Sequence, residues 1–263
     1  MIESWVIIPD LQVPLHHAAA VKKFQSFIKD YQPTGLACVG DELDATQISK
    51  WVSGKPGEYE GSFQEQVDQT HTVLNEFRKA LGPNKKFYLS RSNHGETRVM
   101  RYVNDKAPAL RTLRGLEYEE LLGLKKLDIT YLRQPTEIFP NTLLCHGDEG
   151  SMIQTPGGTA MGLAKRWGKS VIAGHTHKLG YQHDNSTVNG AVTRHLFGLE
   201  VGHLMSFGDG SNSASYLKAG SANWQAGFGI VKVDRKKGIV QPILVPIDLT
   251  NRRFVVENTI YSW

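Results

Sequence analysis

Five short apolar runs in this sequence each end in polar residues, and amphipathic segments lie between them. The runs are WVIIPDLQ (5–12), GLACVGDELD (35–44), KFYLSRSNHGE (86–96), NTLLCHGDEG (141–150) and SVIAGHTH (170–177). Apolar runs of this length predict strands that are buried on both faces. Helical periodicity over residues 17–31 and 62–81 predicts helices between strands. This alternation indicates an α/β fold with ligand-binding residues at the carboxyl ends of the strands.

The sequence after about residue 195 has a different pattern. It contains the longer runs RHLFGLEVGHLMSF and GFGIVKVDRKKGIVQPILVPI, and residues 235–238 fit a turn between two strands. These runs predict a second sheet or an antiparallel extension packed on the first. No internal repeat, low-complexity tract or linker divides the chain, so we expect a single domain over residues 1–263.

Two segments, residues 42–62 and 95–127, contain polar residues, glycines and prolines without a long regular period. Such segments are typical of loops. We therefore expect them to be loops over the functional site, with Trp51 and Tyr102 as candidate substrate contacts or partly buried packing residues.

The composition is that of a globular protein, with 40% hydrophobic and 21% charged residues. No stretch approaches the ~18 to 20 apolar residues that a membrane span needs. The sequence MIESWVIIPD lacks the pattern of a secretory leader, so we expect a cytoplasmic protein without a membrane partner. Cys38 and Cys145 lie inside apolar runs, which predicts buried thiols. A net charge of +4 permits an anionic substrate and is weak support for nucleic-acid binding.

The polar residues at the predicted strand ends have the chemistry of a metal site. They are Asp10, Gln12, Asp41, Asn93, His94, His146, His175 and His177. Side chains alternate along an extended chain, so we expect His175 and His177 to project on the same side if the strand continues through Thr176. Two divalent cations ~3.5 to 4 Å apart need a shared anionic bridge and a mixed set of oxygen and imidazole ligands. One HxH pair alone more often belongs to a polar loop, but the whole set favours a dinuclear centre.

The order of these motifs resembles that of the calcineurin-like metallophosphoesterases. That family carries D-x-H, G-D-x-x-D, G-N-H-E/D, a lone His and G-H-x-H, which appear here as DLQ, GDELD, SNHGE, HGD and GHTH. The resemblance spans residues 5–180 and implies a four-layer αββα sandwich of two mixed β-sheets flanked by helices, with the metal site at the carboxyl ends of the strands. It also implies two divalent metal ions, with Mn²⁺ preferred and Fe, Zn, Co or Ni as alternatives.

The resemblance further implies a role for each site residue. Asp10 and His177 would hold one metal, Asn93, His146 and His175 the other, and Asp41 would bridge the two. His94 would stay off the metals and either donate a proton to the leaving group or stabilise the transition state, roles that suit a side chain able to exchange protons near neutral pH. Asp44 and Asp148 would orient ligand imidazoles, with a helix cap or a solvated carboxylate as the alternative.

Two residues depart from the family pattern. Gln12 stands where the family has a histidine, so this ligand becomes an amide oxygen or is replaced by nearby His16. Ser92 stands where the family usually has glycine before Asn-His, which affects the expected turn and removes no functional group.

Other hydrolase signatures are absent from the sequence. Leu179 and Gly180 occupy the positions where an HxHxDH motif needs Asp and His, and neither HExxH nor GxxxxGK[ST] occurs. Ala45 replaces the arginine of the GDxxDRG motif of protein Ser/Thr phosphatases. We therefore expect a phosphodiesterase that cleaves nucleotide or nucleic-acid phosphodiesters with a hydroxide bridging the two metals. A broad phosphomonoesterase and an inactive metallophosphoesterase-like scaffold are the alternatives, and the oligomeric state stays open.

Overall fold

The computed structural model describes residues 1–50, 52, 54, 61–206 and 223–263. Strands and helices alternate in the first half of the chain, and the described part after residue 173 is built from strands. The strands are β1 (Glu3–Ile8), β2 (Gly35–Cys38), β3 (Lys86–Ser90), β4 (Thr130–Leu132), β5 (Thr136–Phe139), β6 (Thr142–Leu144), β7 (Ser170–Ala173), β8 (Leu179–Val188), β9 (Ala191–Val201), β10 (Gly227–Asp234), β11 (Ile239–Asp248), β12 (Arg253–Val256) and β13 (Thr259–Ser262). The α-helices are α1 (Ala18–Tyr31), α2 (Phe63–Leu81), α3 (Glu96–Lys106), α4 (Tyr118–Leu121) and α5 (Gly158–Trp167).

The described strands form two mixed sheets. The first has the order β13-β12-β11-β10-β1-β2-β3-β4, and the second has the order β5-β6-β7-β9-β8. In the first sheet, the strands from β1 through β4 are parallel, each paired with the next one along the chain. Strands β10 to β13 add an antiparallel extension on the other side of β1. The predicted turn at residues 235–238 connects β10 and β11, which confirms the hairpin expected there.

Alternation along β1 shows how the layers are built. Val6 and Ile8 pack with α1 and α2, whereas Trp5 and Ile7 pack against the second sheet. Successive side chains of a strand point to opposite faces, so a run that is apolar on both faces must lie between two layers. Helix α5 covers the outer face of the second sheet, where Met161 packs near Val171. The fold is therefore the expected αββα sandwich.

The two predicted crossover helices are confirmed, with small differences at their ends. His17 lies just before α1, and its Nδ1 accepts a hydrogen bond of 3.2 Å from the backbone N–H of Ala20. Ser62 precedes α2, and its backbone N–H donates to the Glu65 carboxylate at 3.2 Å. The first contact gives a partner to a backbone N–H in the first turn of α1, and the second gives one to the N–H of the residue that precedes α2.

The prediction of a loop over residues 95–127 is wrong for its first third. Helix α3 fills residues 96–106, and the short α4 follows at residues 118–121. Only Val99 and Val103 of α3 are buried, so the apolar periodicity was too narrow to indicate a helix. Of the other predicted loop, the described part contains a short 3-10 helix at Thr46–Ile48, while Trp51 lies outside the described residues.

No helix in the described part of the chain has the length and apolar character that crossing a bilayer requires.

Candidate metal centre

The seven predicted metal ligands lie on loops that directly follow five strands. Asp10 and Gln12 follow β1, Asp41 follows β2, Asn93 follows β3, His146 follows β6, and His175 and His177 follow β7. The first three strands belong to one sheet and the last two to the other. The cluster therefore forms where strand-end loops from both sheets meet, as ligand sites do in α/β folds.

Asp41 lies at the centre of this cluster. It belongs to one group of ligand atoms with His146 and His175 and to another with Asp10 and His177, and the atoms within each group lie within 4.8 Å of one another. Oδ2 of Asp41 is 3.3 Å from Nε2 of His146, and Oδ2 of Asp10 is 3.2 Å from Nε2 of His177. A carboxylate shared by two ligand groups has the placement that a bridging ligand requires.

Asn93 completes the group around His146. Its Oδ1 lies 2.7 Å from Nε2 of His146 and 3.0 Å from Nδ1 of His175. The other nitrogen of His146, Nδ1, lies 3.0 Å from the backbone carbonyl of Val39. A hydrogen bond to that carbonyl places the proton on Nδ1 and leaves Nε2 facing the cluster, as in many metal-binding histidines.

The electrostatics of the cluster favour a cation at its centre. Burial opposes protonation of His146, but the Asp41 carboxylate outweighs it and raises the pKa of His146 to about 10. Burial and the neighbouring His146 lower the pKa of His175 to about 4. Despite its burial, Asp41 has a pKa well below the usual range because His146 and His94 stabilise its charge. A carboxylate that draws a proton to His146 would attract a divalent cation for the same reason.

Several buried polar atoms of the cluster lack hydrogen-bond partners among the described residues. They are Oδ1 of Asp10, Oε1 of Gln12 and Nδ1 of His177. Burying a polar atom without a partner costs free energy, so such atoms point to a ligand that supplies the missing interaction. Carboxylate and amide oxygens together with imidazole nitrogens suit divalent metals from Mn²⁺ to Zn²⁺. The residues present therefore fit a metal centre.

Gln12 lies inside the cluster, and its orientation suits a ligand. Its Nε2 donates a hydrogen bond of 2.8 Å to Oδ2 of Asp41, while Oε1 is the buried atom without a partner. The alternative, His16, also has a buried ring nitrogen without a partner, Nδ1, but it belongs to neither group of ligand atoms in the described residues. The contact with Asp41 thus favours Gln12 over His16 as the residue that completes the group of Asp10 and His177.

The backbone at the ligands differs from the extended geometry expected for the HxH pair. His175 and His177 have positive φ values of 67° and 56°, and the N–H of Thr176 donates to the carbonyl of Gly174 at 2.7 Å. The expectation that both imidazoles project from a continued strand is therefore wrong, because β7 ends at Ala173. Gln12 and Asp41 also have positive φ values, 56° and 50°. Strain of order 1–3 kcal/mol per residue is typical of sites that surrounding structure holds in place.

The residue before His175, Gly174, has no room for a side chain. A side chain at this position would place its Cβ 2.2 Å from Oδ1 of Asp10. The absence of a side chain lets Asp10 approach, and Oδ2 of Asp10 accepts a hydrogen bond of 2.8 Å from the N–H of His175. Gly174 thus allows the loops after β1 and β7 to pack together.

His94 lies beside the cluster and is oriented by Asp44. Its backbone N–H donates to Oδ1 of Asp41 at 3.1 Å, and its Nδ1 lies 2.8 Å from Oδ1 of Asp44. Burial opposes ionisation of Asp44, but His94 and Arg98 outweigh it and lower the pKa of that carboxyl group. Asp44 therefore contacts the predicted catalytic imidazole, not a metal-ligand imidazole as expected from the sequence.

Two other sequence predictions near His94 are revised by the contacts. The carboxylate of Asp148 accepts hydrogen bonds of 3.0 and 3.1 Å from Arg91. These bonds hold a guanidinium group, whereas the sequence predicted a contact with an imidazole. Ser92 is buried, and its Oγ accepts a hydrogen bond of 3.2 Å from the N–H of Gly95. The serine that replaces the family glycine thus supports the turn that carries Asn93 and His94.

Sequence analysis missed Glu200 at the end of β9. This buried carboxylate accepts hydrogen bonds from the N–H groups of Thr159 and Ala160 at the start of α5, at 2.8 and 3.2 Å. Its Oε2 also accepts a hydrogen bond of 2.7 Å from the hydroxyl of Thr176. Glu200 therefore ties α5 to the residue between His175 and His177, and a carboxylate is well suited to a helix N-terminus.

Two further missed groups lie near the ligands. The imidazole of His203 is centred 5.5 Å from that of His177, and burial together with His177 keeps the pKa of His203 well below its usual value. Glu42, next to Asp41, is buried and accepts a hydrogen bond from the Tyr118 hydroxyl, and burial raises its pKa to about 7. Glu200 and His203 are the polar residues at the end of the apolar segment LFGLEVGH (196–203), so the strand-end pattern used for the other site residues would have found them.

A cavity of about 530 Å³ opens beside the cluster. Asn93 and His94 line it on the cluster side, and α3 and residues 48–50 line the rest. Tyr102, a candidate substrate contact in the sequence, is part of the lining. The predicted catalytic histidine thus lies between the ligand groups and a space large enough for a substrate.

Comparison with known proteins gives two full-length relatives. The chain is 31% identical over 265 residues to the gene 54 protein of Mycobacterium phage D29 and 30% identical over 265 residues to that of Mycobacterium phage L5. In both cases the alignment covers 98% of this chain and 98% of the relative. No family model matches the chain.

Solved structures with a similar arrangement have low identity. Zinc-complexed Vps29 from Entamoeba histolytica is 14% identical with a TM-score of 0.43, covering 92% of this chain and 98% of that one. The Pseudomonas putida nuclease MPE is 16% identical with a TM-score of 0.33, covering 91% and 86%. At these values the likeness carries no inference about activity.

We predict that Gln12→Ala weakens one of two bound metal equivalents by at least about tenfold, the effect that loss of a supporting hydrogen-bond partner already has. Gln12→His, which supplies the imidazole of the family motif, should tighten the same equivalent. His16→Ala is the matched control and should bind both equivalents like the wild type. Calorimetric titration with Mn²⁺ measures all three, and selective weakening in His16→Ala instead would assign the ligand to His16.

We also predict that Glu200→Ala lowers the free energy of unfolding by about 3 kcal/mol, because three buried donors lose their acceptor. Release of Thr176 should weaken metal binding by about 10 to 100-fold. Glu200→Gln keeps a carbonyl acceptor and should recover most of both losses. Urea denaturation and Mn²⁺ titration check the pair, and wild-type metal affinity in Glu200→Ala would show that this carboxylate does not position the histidines.

Proposed function

The chain belongs to the family of the mycobacteriophage gene 54 proteins, and we propose that it is a metal-dependent phosphoesterase that cleaves nucleotide or nucleic-acid phosphodiesters. The observation that carries this proposal is the position of Asp41 in two groups of ligand atoms at once. His94 lies against that carboxylate and lines the adjacent cavity, so a proton donor and a metal-binding cluster face the same space.

We assign the metal ligands to two sets that share Asp41. The first set is Asp10, Gln12 and His177, and the second is Asn93, His146 and His175. When bound, divalent cations supply Lewis-acid polarisation of a phosphoryl group and a nucleophile at neutral pH. Mn²⁺ is the preferred metal, although this donor set accepts Fe, Zn, Co or Ni as well.

In this proposal His94 donates the proton, and Asp44 orients the imidazole of His94. With Nδ1 directed at Oδ1 of Asp44, Nε2 is the ring nitrogen that can give a proton to the departing oxygen. The Asp44 carboxylate fixes the orientation of the ring, and Arg98 in turn lies 3.8 Å from Asp44. The hydrogen bond from the His94 N–H to Asp41 fixes the distance between the proton donor and the cluster.

A broad phosphomonoesterase is the second candidate, and Arg98 is the observation that favours it. Its guanidinium contacts the backbone carbonyl of Asp44 and lines the cavity, where it can pair with a terminal phosphate. Comparing hydrolysis of an aryl phosphodiester with that of the corresponding monoester in Mn²⁺ separates the two activities. An inactive scaffold that has lost its metals would bind no metal and hydrolyse neither ester.

We predict that Asp41→Asn abolishes activity and loses at least one metal equivalent, since the shared negative charge no longer lies between two cations. Asp30→Asn, at an exposed position on α1, is the control for removal of one carboxylate and should retain two metals and full activity. Metal analysis and diester hydrolysis on the same samples check this. An Asp41→Asn protein with two metals and wild-type turnover would contradict the proposed centre.

We further predict that His94→Ala retains both metals while kcat on a nucleotide diester falls by about 10² to 10⁴, the usual effect of losing a general acid. The loss on a nitrophenyl diester should be much smaller, because nitrophenolate leaves without protonation. His183→Ala, at an exposed position on β8, is the matched control. Equal losses on both substrates together with loss of a metal would make His94 a ligand or a structural residue.

A further inference from the structure

We propose that the cavity beside the cluster binds single-stranded nucleic acid, with the scissile phosphate at His94 and the neighbouring phosphates along α3. This inference rests on the proposed function and specifies its substrate class. It is carried by the charge, the length and the aromatic content of the cavity wall, which are independent of the metal ligands.

The cavity wall is strongly basic. Of the ten residues that line it, four are cationic (Lys50, Arg98, Arg101 and Lys106) and one, Asp105, is anionic. Three of these cations, Arg98, Arg101 and Lys106, lie on α3, and all three line the cavity. A cationic wall next to a phosphoesterase centre is suited to the phosphates on either side of the cleaved one.

The length of this basic wall exceeds what a single phosphate can use. Arg98 and Lys106 are eight residues apart, which is about 12 Å along a helix that rises 1.5 Å per residue. Phosphates of a stacked strand follow one another at about 3.4 Å along its axis. A mononucleotide can therefore reach only the cations nearest His94, whereas a strand can reach all of them.

Tyr102 supplies a surface for a base within the same wall. It lines the cavity between Arg101 and Lys106 in the sequence of α3, and its side chain is only partly buried. A basic groove with an aromatic side chain is the usual way in which proteins bind single strands without sequence preference. A duplex keeps its bases paired and stacked, so it offers no free base to the ring of Tyr102.

The test measures binding of a fluorescent single-stranded oligonucleotide by anisotropy in the presence of a chelator, so that no hydrolysis occurs. Arg101→Gln/Lys106→Gln should weaken binding at least about tenfold and reduce the slope of log K against log salt by about 1.4, the value for two phosphate contacts on a single strand. Lys236→Gln/Lys237→Gln, at the exposed turn between β10 and β11, removes the same charge and should bind like the wild type. Equal binding by both double variants would overturn the proposal.

Two further measurements test the strand and the base. Tyr102→Leu should weaken binding about 5-fold or more with an unchanged salt slope, and Tyr102→Phe should restore it, because stacking needs only the ring. A duplex of the same sequence, or a mononucleotide at equal concentration, should compete poorly with the labelled strand. Competition by either one as effective as that of the unlabelled strand would overturn the assignment of a single strand.

The outcomes separate this inference from the proposed function. If the cavity variants weaken oligonucleotide binding but the wild type hydrolyses no ester in Mn²⁺, the strand site is supported and the phosphoesterase proposal is contradicted. If the protein hydrolyses an aryl diester but the cavity variants bind the oligonucleotide as tightly as the wild type does, only the strand site is contradicted.

Discussion

The site is organised by a buried negative charge at Asp41. A carboxylate with almost no solvent exposure is costly unless hydrogen bonds and opposite charges surround it. Here the compensation comes from three separate loops, through the amide of Gln12, the backbone N–H of His94 and the imidazole of His146. Each of these groups is held in place by its own element, so the loops after β1, β3 and β6 must be correctly placed for Asp41 to stay ionised.

The strained backbone at the ligands depends on the same packing. Gln12, Asp41, His175 and His177 have left-handed φ values that residues other than glycine adopt only at a free-energy cost. Strands β2 and β7 and the last four residues of β1 are buried and anchor one end of each loop. Hydrogen bonds such as that from the His175 N–H to Asp10 hold the other end. The rigid sheets thus offset the strain at the site.

The sequence predicted an α/β fold and polar side chains at the strand ends because both follow from short-range patterns, whereas the four layers were implied by the resemblance to the metallophosphoesterases. Apolar runs that end in Asp, Asn or His mark a strand and its loop without knowledge of the partners. The contacts of Asp44 and Asp148 were not predictable in this way, since a carboxylate in a loop has many neighbours within reach. Helix α3 was missed because only two of its residues are buried. The strand-end pattern could have marked Glu200, but its role was not predictable because its partners lie at the start of α5, far away in the sequence.

The proposed ligands are divided between the two sheets, so metal binding would be linked to folding. Asp10, Asp41 and Asn93 move with the first sheet, whereas His146, His175 and His177 move with the second. A cation held by both sets acts as a cross-link between the layers and resists any motion that separates them. By mass action, a metal at 100 times its dissociation constant adds about 2.7 kcal/mol to the free energy of unfolding. The chain in a metal-poor environment would accordingly be easier to unfold and to proteolyse at the interface between its two sheets.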